Sequence, residues 1–329
     1  MNKLLTIVIP CYNVEQYLSE CLDSILAPEY NDVLEVLAIN DGSKDGTLAL
    51  AREYEARFPE ILRVIDKPNG GWGTVINLAI AEACGRYFKI LDSDDWFDKA
   101  AFAEFMATLK TCEADIFITN YTEIYADRVK AGKSYPAQLC HQTLPLEEYL
   151  DKAAHAELFP MTDISVKTEV LRDAHVLLPD RYYGDICFFI YTMALSQSVY
   201  ITNINLYQYR KSVEGQSTSI AGYMRNYRDY LEVTRRLVYF FATTSLSKHK
   251  KSIIKARLLR DIEFSYMLLM SNKCCARMEG SATLLKEFNA YLRHTSPELY
   301  RASFKTTFKH VPYVLIWRLL NVNVLKIKG

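Results

Sequence analysis

Three carboxylates follow a largely apolar run near residue 90. Tyr87–Leu91 reads YFKIL, and Asp92, Asp94 and Asp95 come soon after it. Asp92 and Asp94 are two residues apart, so in an extended segment both side chains point to one side. Hard divalent cations such as Mg²⁺ prefer oxygen ligands and often take substrate phosphates as well. The run therefore indicates a metal site, and a polar loop with an Asp helix cap is the alternative.

Length and composition describe an ordinary globular chain. Its 329 residues are 50% hydrophobic and 12% aromatic, which suggests about two domains and a large core. The eight cysteines form no spaced CxxC pair, so we expect reduced thiols rather than disulfides or zinc ligands. The first residues enter a predicted strand without a leader, and no run reaches the roughly 18 apolar residues of a membrane span. These features predict a cytoplasmic protein.

The distribution of charge is uneven along the chain. The totals balance at 39 Lys+Arg and 39 Asp+Glu, but residues 245–329 hold 16 Lys+Arg and only 5 Asp+Glu. This polarity predicts an anionic partner for the C-terminal part, such as the inner surface of a membrane, which would make the protein peripheral. A solvated helical face that offsets the acidic part is the alternative. We expect no nucleic acid partner, because no recognised binding module is present.

Strand-like and helix-like segments alternate over roughly the first 95 residues. Apolar runs at 4–11, 33–40, 61–65 and 86–91 predict strands, and the segments between them, beginning with 13–25, predict helices. This alternation predicts an α/β fold with a parallel sheet and right-handed crossovers. PCYN follows the first strand, where a GxGxxG fingerprint or a GxxxxGKS/T phosphate loop would stand. The dinucleotide-binding dehydrogenases and the P-loop enzymes are therefore excluded.

Three segments, in this order, resemble a known family. They read TIVIPCYNVEQYLSECLDSI, VLAINDGSKDGT and NGGWGTVINLAIAEACGRYFKILDSDDW. Together they resemble the N-terminal half of the family 2 glycosyltransferases, which have the GT-A fold with a Rossmann-like, mostly parallel sheet. The resemblance implies an inverting transfer of a sugar from a nucleoside diphosphate donor to a hydroxyl of a glycan, polymer or glycolipid acceptor. It also implies Mn²⁺ or Mg²⁺ on the diphosphate, and a UDP-sugar is our first expectation for the donor. The expected setting is the synthesis of a bacterial cell-surface polysaccharide.

The resemblance also divides the chain. It is strong over 4–97 and thinner to about 220, which implies a GT-A domain over 1–220 with a nucleotide-sugar-binding half at 1–97 and an acceptor half at 98–220. From Tyr223 onward apolar residues keep three-and-four spacing, so we predict a helical C-terminal region over 221–329. Its segment 310–320 is apolar with basic flanks and is a candidate for a membrane interface. A last helix that covers the core is the alternative.

Residue by residue, the resemblance assigns the metal site to the carboxylates that end the fourth strand. It makes Asp94 the direct metal ligand, and Asp92 a contact to the ribose or to the metal through water. Asp95 is better interpreted as the cap of a helix predicted over Trp96–Leu109.

Further donor contacts are implied at five other residues. Asp41 matches the position that hydrogen-bonds the nucleobase edge, and Tyr12 matches the one that stacks on the base. Pro10 contributes geometry, and Asn69 belongs to a glycine-rich loop whose backbone can approach a ligand. Arg210 ends an aromatic strand segment, from which a guanidinium could reach the diphosphate; a plain surface arginine is the alternative.

The general base implied by the resemblance is Asp185. The family usually carries a Glu-Asp pair at this helix start, and here Gly184 stands in place of the Glu. An inverting displacement needs a base on the face opposite the leaving group. The Gly leaves open how the base is oriented, and a helix cap at Asp185 is the alternative role.

Three other functions can be weighed on the same residues. A nucleotidyltransferase of this fold would need a basic, glycine-rich triphosphate loop after the first strand, and PCYNVEQY is not one. A catalytically silent nucleotide-sugar-binding subunit would be marked by lost carboxylates, yet Asp41, Asp92, Asp94 and Asp185 are all present. A membrane-associated interaction protein of a polysaccharide assembly complex would explain the basic tail but not the N-terminal motifs.

Overall fold

The computed structural model describes residues 3–132, 134–152, 159–173, 177–180, 182–211, 220–270, 280–305 and 312–320. These residues fall into two compact units. The first unit holds the described parts of 1–180 and 184–214, and the second holds those of 181–183 and 215–329.

The first unit is built on one sheet. Its strands are β1 (Lys3–Cys11), β2 (Leu34–Asp41), β3 (Leu62–Lys67), β4 (Gly85–Ile90), β5 (Trp96–Phe97), β6 (Ile116–Ile124), β7 (Val129–Ala131), β8 (Thr143–Pro145), β9 (Ile164–Lys167) and β10 (Ser198–Arg210). The main path runs β3-β2-β1-β4-β9-β6-β10-β5, while β7 pairs with β6 and β8 with β10. Strands β1 to β4 are parallel to one another, as the alternating pattern predicts. The predicted α/β, GT-A fold class is confirmed.

Helices connect these strands and cover them. They are α1 (Glu15–Asp23), α2 (Thr47–Arg57), α3 (Trp72–Glu82), α4 (Lys99–Leu109), α5 (Leu146–Lys152), α6 (Thr168–Asp173) and α7 (Gly184–Leu195), with short 3-10 turns at Pro28–Tyr30 and Ala137–Leu139. All residues of β2 are buried, which explains its nearly continuous apolar run. The core beneath α1, α2 and α4 is formed by the apolar residues of β1, β2 and these helices.

The second half of the sheet is mixed, because β9 runs antiparallel to both of its neighbours, β4 and β6. Strand β9 begins only at Ile164, although the strand-like sequence FPMTDISV starts at Phe159. Pro160 starts a turn in which its carbonyl accepts the Asp163 amide at 3.0 Å. Proline cannot donate to a strand ladder, so the apolar residues before Ile164 form an approach to β9 and not part of it.

The predicted cap at Asp95 was wrong. Helix α4 begins at Lys99, and its cap is Asp98, whose Oδ1 accepts from the Ala101 amide at 2.9 Å. Trp96 and Phe97 form the short strand β5 against β10 instead of a first helical turn. Asp95 instead accepts hydrogen bonds from residues of β10.

The second unit is helical over its described residues. Its helices are α8 (Ile220–Arg225), α9 (Tyr227–Thr243), α10 (Lys248–Met270), α11 (Ser281–Thr295), α12 (Pro297–Ala302) and α13 (Tyr313–Leu320), with a 3-10 turn at Ser303–Lys305. Helices α9, α10 and α11 bury the apolar stripe that the three-and-four spacing predicts. Among the described helices none is long and apolar enough to cross a bilayer.

Helix α13 is docked on this helical unit. Tyr313 is buried and its hydroxyl donates to the Glu263 carbonyl at 3.0 Å. Arg318 donates to Asn289 Oδ1 and to the Tyr266 hydroxyl, both at 2.6 Å. Leu319 is 71% exposed. The described part of the segment thus has the contacts of a core-covering helix, while residues 306–311 and 321–329, with most of the predicted basic flanks, lie outside the described residues.

A buried lysine ties β4 to the segment before β9. Lys89 Nζ donates to the carbonyls of Thr162 at 2.8 Å and Ile164 at 3.2 Å. The side chain is fully buried, and this burial lowers the pKa of Lys89 to about 7 against a smaller, opposing effect of Asp163. Folding therefore favours the neutral amine, because an ammonium group is costly to bury.

We predict that Lys89→Met removes a pH-dependent part of the stability. The lysine pKa is about 7 in the folded chain and ordinary in the unfolded chain, so above pH 7 the unfolded chain binds more protons. The free energy of unfolding then gains a contribution that rises with pH between about 7 and 10. Urea unfolding at pH 7 and pH 9 should show the wild type gaining about 1 kcal/mol or more relative to Lys89→Met at the higher pH. Lys110→Met, at an exposed position, is the control, and a gap between wild type and Lys89→Met that is the same at both pH values would contradict this account.

Candidate active site

The candidate site lies where β1, β2 and β4 end. These strands are adjacent and parallel, so the residues after them meet at one edge of the sheet. Helices and loops leave this edge in different directions, which makes it the crevice where ligands bind in open α/β sheets. The turn after β4 is tied to the end of β1, because Ser93 Oγ donates to the Pro10 carbonyl at 2.8 Å. Pro10 thus anchors the turn that carries the carboxylates, and its part in the donor site stays a prediction.

Asp41, the last residue of β2, holds the loop that follows β3. Its Oδ1 accepts from the Gly70 amide at 2.9 Å and from Lys67 Nζ, and its Oδ2 accepts from the Gly71 amide at 2.8 Å. Asn69 closes the same loop by donating from Nδ2 to the Asp41 carbonyl at 2.9 Å. A carboxylate has about four acceptor positions. Donors among the described residues use three of them, which leaves one position on Oδ2 for the predicted contact to a nucleobase edge.

Tyr12 follows β1 directly, and its side chain is 51% exposed. The backbone after it is fixed from both directions. Asn13, with a φ of 54°, donates its amide to Ser43 Oγ at 3.1 Å, and its Oδ1 accepts the Lys44 amide at 2.7 Å. A ring on a fixed backbone with an open face suits the predicted stacking on a base.

Asp92 and Asp94 gather negative charge at the end of β4. Burial, and then the charges of Asp94 and Asp185, raise the pKa of Asp92 to about 7, while a hydrogen bond from the Trp72 indole lowers it in part. Burial also raises the pKa of Asp94, against the charge of Arg210. Both carboxylates therefore lie in surroundings that do not compensate their charge, which is the environment that a cation stabilises.

A divalent metal fits this pair of carboxylates. Among the residues that the structure describes, no three His, Cys, Asp or Glu side chains form a complete metal site by themselves. Mg²⁺ usually keeps several waters and is held by one or two carboxylates together with substrate phosphates. Asp92 and Asp94 match that ligand set, with the remaining ligands expected from a bound diphosphate and water.

Asp95 joins the turn after β4 to β10. Its Oδ2 accepts from the buried Tyr207 hydroxyl at 2.8 Å, and its Oδ1 accepts from the Arg210 amide at 2.7 Å. The same Tyr207 oxygen accepts the Asp92 amide at 3.1 Å. Burial, followed by the charges of Asp92 and Asp94, raises the pKa of Asp95 to about 8. This carboxyl group organises the turn and does not cap a helix.

Arg210 makes several contacts with other parts of the first unit. The guanidinium lies over the Trp96 ring, with 4.6 Å to the centroid, and donates from Nε to the Asp94 carbonyl at 2.8 Å. It also pairs with Glu20. These contacts hold the backbone of the turn that carries Asp94. The contact to a diphosphate expected from the sequence stays a prediction.

Asp185 is the second residue of α7, where a carboxylate interacts favourably with the helix dipole. It is close enough to Asp92 for its charge to raise the pKa of that group. The preceding Gly184 lies against Trp72: a Cβ at position 184 would stand 3.4 Å from Cε3 of the ring and 3.5 Å from Cζ3. An indole therefore lies beside the position where the family usually has a Glu.

The approach to α7 is fixed to α3. Asn77 donates to the Leu178 carbonyl and accepts the Leu178 amide, both at 2.9 Å. The Pro179 carbonyl then lies so close to Gly73 that a Cβ there would overlap it. Only glycine permits this contact, which places the segment leading to Asp185 directly on the first turn of α3.

Sequence reasoning missed three aromatic residues of this site. Trp72 lies against Gly184, and the Tyr207 hydroxyl donates to Asp95. Tyr209 faces the acidic cluster as well, because burial and then the charges of all four carboxylates, Asp95, Asp92, Asp94 and Asp185, raise its pKa. The alternating aromatics of the segment LYQYR were a usable signal, since Tyr207 and Tyr209 share one side of a strand. The glycines around Trp72 in NGGWG also indicated a close backbone approach.

Comparison with known proteins finds one family and several relatives. The profile described as Glycosyl transferase family 2 matches residues 6–195, more than half of the chain. The uncharacterized glycosyltransferase EpsJ of Bacillus subtilis is 28% identical over 220 residues, which cover 64% of this chain and 62% of that protein. The crystal structure of Staphylococcus aureus TarS 1–349 in complex with UDP-GlcNAc has a TM-score of 0.66 at 20% identity and covers 90% of this chain and 82% of that one.

A mannosyltransferase of Pyrobaculum calidifontis, solved with GDP-Man and Mn²⁺, shares the fold more distantly. Its TM-score is 0.52 at 18% identity, covering 92% of this chain and 83% of that one. At these identities the structural matches establish the fold alone. The match to the B. subtilis relative spans less than two thirds of that protein's length.

We predict that Tyr207→Phe destabilises the first unit by about 1 to 3 kcal/mol, because it leaves a buried carboxyl oxygen of Asp95 and the amide of Asp92 without their shared partner. Urea unfolding measures this loss. Tyr200→Phe, in the same strand and stacked on Phe117, is the matched control and should change the stability much less. Equal losses in the two variants would show that the Tyr207 hydroxyl does not hold the turn.

Proposed function

The chain belongs to glycosyl transferase family 2, and we propose that it transfers a sugar, with inversion, from a nucleoside diphosphate donor to a hydroxyl group of an acceptor. One observation carries the proposal. Three carboxylates meet at the carboxyl edge of the sheet, and two of them, Asp92 and Asp94, have raised pKa values with Asp185 close by. A metal-bound diphosphate and a base need this combination of groups.

The donor site in this proposal uses the residues around the ends of β1 and β2. Tyr12 stacks on the base, and Asp41 accepts a hydrogen bond from its edge through the remaining position on Oδ2. Asn69 and Pro10 keep the two loops in place through their backbone contacts. Arg210 orients the turn that carries Asp94 and lies near enough to lower the pKa of that carboxyl.

Asp92 and Asp94 hold the metal in this mechanism. A bound Mn²⁺ or Mg²⁺ stabilises the negative charge of the diphosphate as it leaves. Asp185 accepts the proton of the acceptor hydroxyl, whose oxygen forms a bond to the anomeric carbon from the face opposite the diphosphate. The bond between that carbon and the diphosphate oxygen breaks, its electron pair stays on the nucleoside diphosphate, and the product has the inverted configuration.

A UDP-sugar is the proposed donor, and a glycan, polymer or glycolipid of a bacterial cell surface is the proposed acceptor. TarS is named as a poly(ribitol-phosphate) beta-N-acetylglucosaminyltransferase and has been solved with UDP-GlcNAc, which supports a UDP-N-acetylhexosamine as the first donor to try. The silent-subunit alternative is not favoured, because the carboxylates Asp41, Asp92, Asp94 and Asp185 are all retained. In this assignment residues 1–220 form the catalytic domain and 221–329 an accessory region.

We also propose that the C-terminal region binds an anionic membrane surface. The observation behind this is the excess of basic residues after position 244, together with the exposed Leu319 at the end of α13. Lys286 and Arg293 are both exposed and lie seven residues apart on α11, so they share one face of that helix. Basic residues near an anionic surface contribute roughly 1 kcal/mol each.

Asp94→Asn and Asp185→Asn should separate binding from transfer. We expect Asp94→Asn to lose the metal-dependent part of UDP binding, because it removes a charged ligand, and Asp185→Asn to bind UDP with Mn²⁺ like the wild type. Titration calorimetry with UDP, in Mn²⁺ and in EDTA, measures both. Sugar transfer to water or acceptor should fall by about a hundredfold or more in Asp185→Asn, given the usual contribution of a general base. Metal-dependent UDP binding that survives in Asp94→Asn would rule out its ligand role.

The membrane proposal predicts a charge effect on sedimentation. Lys286→Glu combined with Arg293→Glu should reduce sedimentation of the full chain with phosphatidylserine-containing liposomes at low salt. Reversal of the exposed Lys99 and Lys110 in the first unit is the matched control and should have little effect. A deletion is a poorer test, because it would also remove Tyr313 and Arg318 from the helical unit. Wild-type protein that stays in the supernatant at every salt concentration would refute the proposal.

A further inference from the structure

A second cavity lies at the edge of the sheet opposite the candidate active site. It is found where β1 and β4 begin, has a volume of about 780 Å³, and is lined by Lys3, Gly85 and Arg86 among others. Strand β1 has nine residues. At about 3.3 Å per residue it spans roughly 25 Å, so a small molecule in this cavity would not reach the carboxylates that follow β4. The cavity is therefore separate from the proposed donor site.

The lining of this cavity has an excess of positive charge. Its charged residues are four cations and two carboxylates, namely Lys3, Arg86, Lys110, Arg172, Asp32 and Glu169. Asp32 and Glu169 are both exposed, so water screens the charge of their carboxylates. An anion that enters the cavity thus meets a positive surrounding.

Arg172 is fixed at this cavity by partners that carry no formal charge. Its Nε donates to the Ile80 carbonyl at 3.0 Å, and its Nη2 donates to the Ala81 carbonyl at 3.1 Å and to the Ala83 carbonyl. These carbonyls belong to the C-terminal end of α3, where the helix dipole is equivalent to about half a negative charge. The guanidinium group is therefore held in place but only partly neutralised.

Arg86 is held in a similar way at the end of α4. Its Nη2 donates to the Cys112 carbonyl at 2.8 Å and to the Leu109 carbonyl at 3.3 Å. Its Nη1 pairs with Glu113 at 2.7 Å, and the side chain of Glu113 is 73% exposed. An ion pair open to water compensates little of the charge. Arg86 thus adds a second guanidinium group whose position is fixed.

The two lysines complete the positive part of the lining. Lys3 Nζ donates to the Glu60 carbonyl at 3.1 Å and to the Asn31 carbonyl, so its partners are neutral as well. Lys110 is exposed, and it forms no ion pair with any residue that the structure describes. Its charge is therefore available to a ligand.

We propose that this cavity is a second ligand site of the first unit and binds a small soluble molecule that carries a phosphate or diphosphate group. The planar fork of a guanidinium group matches phosphate oxygens, and lysine adds charge without a fixed geometry. The volume falls within the roughly 300–1,000 Å³ of small-molecule sites. Because the cavity is remote from Asp92, Asp94 and Asp185, this binding needs no metal and does not depend on the proposed sugar transfer.

Calorimetric titration of the full chain with inorganic pyrophosphate in metal-free buffer tests this site. The wild type should bind pyrophosphate saturably. Lys110→Glu reverses an exposed charge at the cavity and should weaken this binding by about fivefold or more. Lys99→Glu, the same change at an exposed lysine outside the cavity lining, is the matched control and should leave the affinity unchanged. Asp94→Asn should also leave it unchanged, because the donor site is not involved.

A second variant tests the guanidinium fork. Arg172→Lys keeps the charge but removes the fork, so it should weaken pyrophosphate binding by about tenfold. Circular dichroism shows whether this variant folds, since Arg172 also holds the end of α3. If it does not fold, Lys110→Glu decides alone.

Three results would overturn the inference. The first is wild-type protein that binds no pyrophosphate, even if it sediments with phosphatidic acid liposomes, because the proposed ligand is soluble. The second is equal affinity in wild type and Lys110→Glu, since the anion would then bind elsewhere. The third is a loss of affinity in Asp94→Asn, which would assign the binding to the donor site. Failure of UDP to bind with Mn²⁺ would count against the proposed function and leave this site unaffected.

Discussion

The first unit is organised around the burial of carboxylates at the end of one strand. Asp92, Asp94 and Asp95 lie within four consecutive residues just after β4. Burying a carboxylate costs free energy unless hydrogen-bond partners or opposite charges compensate it. The three groups are treated differently. Burial raises the pKa of all three, but Asp95 alone among them accepts hydrogen bonds from the Tyr207 hydroxyl and the Arg210 amide. One carboxyl group thus organises the turn, and the other two are the proposed metal ligands.

A second constraint carries this arrangement across the site. The loop after β3 is bound to Asp41, and the helix that follows it is bound to the segment before α7. The loop after β3 and the segment before α7 are thus linked through α3 by hydrogen bonds to the side chains of Asp41 and Asn77. Gly73 makes the close approach of that segment possible, since a Cβ there would overlap the Pro179 carbonyl.

Much of this fold could be read from local pattern. The apolar runs of β1, β2 and β4 are nearly continuous because these strands are covered on both faces, and their order predicts a parallel arrangement. The carboxylates after these strands could likewise be predicted as candidate site residues from their type and spacing in the sequence. Asp95 was misjudged because a nearby Asp, at position 98, is the better cap, and because the partner of Asp95 lies 112 residues away in β10.

The contacts that sequence reasoning missed share a physical cause. The contacts of Trp72 with Gly184 and of Tyr207 with Asp95 form only when distant segments fold together. Local sequence periodicity carries no information about such contacts. Gly184 illustrates the point, since the sequence shows only that a Glu is absent there, and the structure shows that the position lies beside Trp72. The spacing of residue types thus indicated where the candidate site lies, whereas the contacts that hold its residues in place could be found only in the structure.

The most direct measurement is the release of nucleoside diphosphate from a panel of UDP-, GDP- and dTDP-sugars, with Mn²⁺ and with EDTA. Slow transfer to water reveals a donor even without an acceptor, so the acceptor need not be known. The account predicts metal-dependent release from one donor, with a UDP-sugar first, and its loss in Asp185→Asn. Release that is equal in EDTA and Mn²⁺, or unchanged when Asp185 is replaced, would contradict the central claim that a metal-held diphosphate and this aspartate perform the reaction.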